Sequence, residues 1–134
     1  MADKHKIFVT GDHLHKDYYG VEAQLVNYCT PFGYRRGDIH LLTGNNFGTE
    51  LAVQALAYNQ QIEVTVYERD REQFTFEKDK KRLNSIIKEC DGVLVFLPTD
   101  KDAKELRYVM KEAKRLGKHV HTCGVSVIAS TNNF

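Results

Sequence analysis

The 134-residue chain has no tryptophan, only two prolines and three cysteines, and almost no charge imbalance, with 19 lysines and arginines against 18 aspartates and glutamates. A net charge of +1 supplies no global field of the kind that draws a protein non-specifically onto nucleic acid, so a nucleic-acid partner is not expected without a local basic patch. The longest apolar stretches, such as Gly92-Val-Leu-Val-Phe-Leu97, fall far short of the roughly 20 residues that span a bilayer, and no membrane partner is expected. Cys29, Cys90 and Cys123 are odd in number and lack CxxC spacing. That suits reduced thiols better than a disulfide framework or a zinc site. Met1 to Lys6 runs straight into an apolar strand pattern without the core of a signal peptide, so a cytoplasmic location is expected.

What is present is the composition of one globular domain over residues 1–134, 42% hydrophobic and 28% charged. At this size roughly two-thirds of the unfolded surface is buried, enough for a core without disulfides or a structural metal. There is no internal repeat, low-complexity block or linker in the sequence.

Apolar runs and helical periods alternate along the chain. Lys6–Thr10 reads as a strand buried on both faces, and Tyr19–Cys29 as a helix stopped by Thr30-Pro31-Phe32-Gly33. Asp38–Thr43 repeats the strand pattern, and a Gly/Asn turn leads into a helix carrying Leu51, Ala52, Ala55 and Leu56. Ile62–Val66 alternates, so a third strand is expected nearer a sheet edge; a charged stretch, Tyr67–Gln73, follows, and then a helix from Phe76 to Lys88. Val93–Leu97, the most apolar run, should be a central strand. Ala103–Leu116 makes a helix capped by Gly117, His119–Thr122 starts a fifth strand that Val125–Ile128 is expected to extend, and a polar tail follows from about residue 129. Connections too long for hairpins imply crossovers, so the fold class is α/β: an open doubly wound domain with a mainly parallel five- or six-stranded sheet.

In such sheets a ligand lies beyond the carboxyl ends of the strands, where the strand order reverses. Four loops qualify: Thr10–His15, Gly44–Glu50, the charged stretch after strand three, and Pro98–Asp102. Gly44, Asn45, Asn46, Gly48, Thr49 and Glu50 form the most informative segment. Its glycines permit close backbone approach and the following helix presents unpaired N–H groups, suiting phosphate or a ribose hydroxyl. The plainer alternative is a strand-to-helix turn in which Asn46 caps the helix. Glu50 would repel a phosphate and prefers sugar hydroxyls; aimed into a pocket, it could act as nucleophile or base at an anomeric carbon. Thr10, Gly11 and Asp12 could line the same crevice, or Asp12 could simply bond its own turn. His13 and His15 are candidates for acid or base work if they are not merely solvated. His119-Val-His-Thr-Cys123 alternates along a strand, where residues two apart stand about 6.6 Å from each other, so no metal site is expected there. Arg69, Asp70 and Arg71 could clamp a phosphate or simply be solvated. The lysines and arginines from Lys101 to Lys118 read most simply as a solvated helix face.

Lys6-Ile-Phe-Val-Thr-Gly11, Leu41-Leu-Thr-Gly-Asn-Asn-Phe-Gly-Thr-Glu-Leu-Ala52, Lys81-Arg-Leu-Asn84 and Cys90-Asp-Gly-Val-Leu-Val-Phe96 resemble, in this order, the motifs of the SLOG superfamily. The small YspA and YpsA types look nearest, and DprA and the Lonely Guy phosphoribohydrolases are among the relatives. The resemblance spans about residues 4–122. It implies a Rossmann-like domain that binds nucleotides, nucleotide sugars or NAD-derived signals; no cofactor is expected. It places the binding positions at Gly11, Gly44, Gly48 and Glu50, and also at Arg82, Asn84 and Thr99. The late P-G-G-x-G-T-x-x-E motif of the Lonely Guy enzymes has no counterpart in Pro98–Glu105.

The leading expectation is a nucleotide-like small molecule bound at the carboxyl edge, with Glu50 and Asp12 accepting from ribose and Arg82 pairing with phosphate. The alternative is an N-glycosidic hydrolase or transferase with Glu50 as its catalytic carboxylate. A third is a subunit that has lost its ligand and binds a protein partner. Exposed apolar faces on the Tyr19–Cys29 or the Ala103–Leu116 helix also make a homodimer an expected partner state.

Overall fold

The computed structural model describes residues 3–69 and 75–126. Five strands, β1 (His5–Gly11), β2 (Ile39–Gly44), β3 (Glu63–Tyr67), β4 (Gly92–Pro98) and β5 (His119–Val125), form an all-parallel sheet in the order β3-β2-β1-β4-β5. The crossovers are α1 (Tyr18–Cys29), α2 (Thr49–Gln60), α3 (Phe76–Glu89) and α4 (Lys104–Arg115). This is the doubly wound α/β architecture expected from the alternation, with five strands among the described residues. The expected extension past Ser126, the polar tail and Asp70–Gln73 of the charged stretch lie outside those residues. No helix among the described residues is long and apolar enough to cross a membrane.

The strands are apolar on consecutive positions because helices cover both faces of the sheet. Along β1, Ile7 and Val9 turn to one face and Phe8 to the other, and none of the three is more than 1% exposed. Val21, Leu25 and Tyr28 of α1 and Val53, Leu56 and Ala57 of α2 pack on the first face, with Leu41, Leu94 and Phe96. Leu83, Ile86 and Ile87 of α3 and Leu106, Val109 and Ala113 of α4 pack on the second, with Leu42, Val93 and Val95. β3 lies at the edge, as its alternation anticipated: Glu63 and Val66 are exposed, and Lys4 pairs with Glu63 at 2.9 Å.

Local signals set the helix limits. Asp17 Oδ1 accepts from the Gly20 N–H at 2.9 Å to start α1, and Thr75 Oγ1 accepts from the Lys78 N–H at 3.2 Å to start α3. Beyond α4, Gly117 takes φ +73°; its N–H bonds to Lys114 O and that of Lys118 to Ala113 O, closing the helix end. β1 hands the chain to a helix on one face and β4 to a helix on the other. The loops after these neighbouring strands therefore diverge, which opens a crevice at the carboxyl edge.

Candidate functional site

A cavity of about 450 Å³ occupies that crevice. Thr10, Gly11, Asp12 and His13 line it from the end of β1, Asn45, Asn46 and Phe47 from the loop after β2, and Arg69 from beyond β3. The fourth wall is Lys101 to Leu106, the loop after β4 and the first turn of α4.

The two glycine loops are locked together by contact that only glycine allows. Gly48 has φ +80°, and a Cβ on it would lie 2.5 Å from the Asp12 and His13 carbonyl oxygens. Gly48 is also the N-cap of α2 and no side chain caps that end, so Asn46 is not the cap that the plainer reading supposed. Instead the Asn46 backbone N–H donates to Glu50 Oε1 at 3.1 Å, while Thr10 Oγ1 donates to Glu50 Oε2 at 2.9 Å. Glu50 is 1% exposed and backs the cavity rather than lining it. Burial pushes its carboxyl above the ordinary range, against the pull of the Asn46 and Thr10 hydrogen bonds and of the Arg82 charge.

His15 is likewise buried, not solvated. Its Nδ1 pairs with Thr49 Oγ1 at 3.0 Å and its ring stacks on Phe96 with centroids 5.3 Å apart. Burial holds its imidazole below the usual value, with the Asp17 and Asp12 charges pulling the other way. Thr49 is spent on this contact and on the Asp12 carbonyl. Asp12 accepts from the Leu14 N–H at 2.8 Å, forming its own turn as the plainer reading allowed, and its other oxygen meets Lys101 Nζ at 2.9 Å. That ion pair joins the two diverging loops.

An ion cluster centred on the buried Asp79 binds the remaining edges, and two of its members, Arg69 and Glu105, line the cavity. Asp79, in the first turn of α3, accepts from Arg82 at 2.7 and 2.9 Å and from Arg69 at 2.8 and 3.1 Å. Arg82 donates its third bond to the Tyr67 carbonyl at the end of β3. Arg69 reaches Glu105 of α4 at 2.8 Å and the Asn46 side chain at 3.3 Å, and its backbone N–H meets Asn45 Oδ1 at 3.0 Å. Burial disfavours the Asp79 charge, yet the bonds from Arg82 and Arg69 hold its carboxyl below the usual range.

Of the residues picked from the sequence, Thr10, Gly11, Asp12, Asn45 and Asn46 line the cavity, and Gly44, Gly48, Thr49 and Glu50 support it. Arg82, Asn84 and Thr99 do not line it. Arg82 is held by Asp79 and the Tyr67 carbonyl, Asn84 accepts from the Tyr108 hydroxyl, and the Thr99 hydroxyl donates to Val125 O. Lys101, read from the sequence only as part of a solvated helix face, lies before α4, lines the cavity and pairs with Asp12; Glu105 and Phe47 were not singled out, although the rule about carboxyl ends selected the loop carrying Phe47. Among the described residues no group of three His, Cys, Asp or Glu side chains is placed to hold a metal ion.

Fold and crevice together define a parallel α/β protein with a ligand-sized cleft at the switch point of its sheet. No family model and no curated protein matches the chain.

Asp79→Asn leaves two arginines with a weakened buried partner, and a loss of about 3 kcal/mol is expected in urea denaturation. Because the folded pKa of Asp79 lies below its unfolded value, its stabilisation is present above pH 3.8 and is lost as pH falls through the folded value; the variant should flatten the acid limb of the stability curve. Glu50 has the opposite sign. Its raised carboxyl favours the fold below pH 4.5, and that contribution is lost as pH rises through the folded value. Glu50→Gln can still accept from the Asn46 N–H and can donate its NH2 to Thr10 Oγ1, reversing that bond, and should be at least as stable as wild type at pH 8; a large loss there would show that the charged form is required.

Proposed function

We propose that this protein binds a nucleotide-like ligand, a nucleotide, nucleotide sugar or NAD-derived molecule, in the crevice at the carboxyl edge. What supports this reading is the start of α4 within the cavity wall. Its N-cap, Ala103, supplies no side-chain cap, so the first N–H groups of the helix stand beside Lys101 and Lys104 where a phosphate would dock. Glu105 in the same turn is engaged by Arg69, which reduces its repulsion of an anion. Asp12 and the Asn45 and Asn46 amides are the groups suited to ribose hydroxyls. Phe47, 62% exposed at the rim, suits stacking on a base. The ordered motifs resembling the SLOG superfamily support the same reading.

Binding is placed ahead of N-glycosidic turnover because both oxygens of Glu50 accept hydrogen bonds within the protein and its side chain lies behind the cavity wall. The test is a thermal-shift panel of nucleosides, nucleotides, cyclic nucleotides, NAD and ADP-ribose, with chromatography of each hit. A ligand at about 100 times its dissociation constant should add about 2.7 kcal/mol of apparent stability and be recovered intact. Lys101→Ala should weaken that ligand about tenfold or more, the scale of one charge-assisted hydrogen bond. A silent panel would contradict the proposal, and released base would promote turnover over binding.

A further inference from the structure

The two helical layers differ sharply in charge. Of the 14 residues of α3, eight are charged, and of the 12 of α4, seven. On the other face of the sheet, α1 and α2, of 12 residues each, carry one charged residue apiece. Neither charge stands on the outer surface: Glu50 is buried, and Glu22 is half-buried and accepts from the Gln60 side chain at 3.0 Å.

Outward from this layer point large apolar side chains in a repeated pattern. α1 exposes Tyr19, Ala23, Val26 and Asn27, and α2 exposes Leu51, Ala55, Tyr58 and Asn59. The spacing is the same on both helices: a large residue, alanine four residues on, a large residue three further on, then asparagine. This four-then-three step is that of the apolar seam by which one helix packs on another, with alanine allowing close approach at the middle. Tyr58 is 86% exposed, Tyr19 77% and Val26 58%. Both helices also bury a second apolar stripe against the sheet. Each therefore has two apolar faces, of which the sheet satisfies one.

We propose that a second copy of this chain covers the α1/α2 face, the two pairs of helices packing as a four-helix layer between two sheets. The choice of occupant follows from charge. A closed dimer sets a surface against its own copy, so like charges on that surface repel across the two-fold axis. The α3/α4 layer would bring lysine against lysine. The α1/α2 layer is the one whose exposed helical residues are uncharged, and it is apolar at its centre with asparagine beside it, as homodimer interfaces are. A nucleic acid or an acidic protein would find no cation on either helix to pair with.

The dimer leaves the crevice open, because the cavity is lined by loops and by the start of α4, on the other face. Its test is therefore independent of ligand binding. The full-length chain is run by sedimentation velocity from about 1 to 200 μM, with circular dichroism of every sample. Wild type should sediment at twice the 15.4 kDa chain mass at the upper concentrations. Ala23→Arg, which blocks close approach, and Tyr58→Glu, which sets a charge against its copy, should each sediment at the chain mass with an unchanged circular dichroism spectrum. Lys111→Glu, on the opposite layer, should remain dimeric. A wild type that stays at the chain mass throughout overturns the proposal, as it would if the face served a different protein. A dimer that survives both Ala23→Arg and Tyr58→Glu overturns it equally, because the interface would then lie elsewhere.

Discussion

The carboxylate of Asp79 does more than any other group to hold the site in shape. A parallel sheet ends at its carboxyl edge in loops that belong to different crossovers; backbone bonds join the loop after β1 to the start of α2 and the loop after β4 to the end of β5, and the remaining edges are joined by side chains. Asp79 gathers Arg69 and Arg82, and these two arginines reach the β3 carbonyl of Tyr67, the Asn45 and Asn46 side chains after β2, and Glu105 at the start of α4. One buried ion thus ties three edges of the cavity together. Such clusters add little net stability over an apolar core, and breaking one is expensive because the remaining charges stay buried. What the cluster supplies is position. The cavity wall from α4 and the floor from β2 are held in fixed relation, which a binding site on loops otherwise lacks.

Opposite this fixed side, β1 and β4 part, and the link between their loops is of another kind. Lys101 and Asp12 meet at 2.9 Å, but the lysine side chain keeps 32% of its exposure. Asp12 keeps only 7%, so the pair sets a partly exposed ammonium against a buried carboxylate. The same crevice thus has one wall tied by a buried ion cluster and another held by a single ion pair whose lysine is partly exposed.

Much of the fold was legible in the sequence because its signals are local. Val93–Leu97 announces a doubly covered strand by its unbroken apolarity, Glu63 and Thr65 announce an edge by alternation, and Gly117 announces a helix end. The loops of the site followed from topology. Which side chains face the cavity did not, because that depends on contacts between residues distant in the chain. Glu50 in the first turn of a helix can face outward to a ligand or inward; Thr10, 40 residues away, provides the inward partner. Arg82 stood in a motif that suggested phosphate, but Asp79, three residues before it, takes two of its donors. Asp79 and Arg82 lie one helical turn apart, a spacing that marks an ion pair and was readable beforehand. His15 lies in a largely polar loop and so reads as solvated, but the Thr49 hydroxyl and the stacking on Phe96 bury it.

The central question for the site is whether a nucleotide-like molecule enters the crevice between the loops after β1 and β4. The direct measurement is a titration of uniformly ¹⁵N-labelled protein with ADP-ribose, which carries a base, two phosphates and two riboses, followed by amide chemical shifts. Saturable shifts concentrated at Gly11–His13, Asn45–Phe47 and Lys101–Leu106 are expected, with the outer face of α1 and α2 unmoved. Shifts that centre elsewhere, or a spectrum unchanged at millimolar ligand, would contradict binding in the crevice.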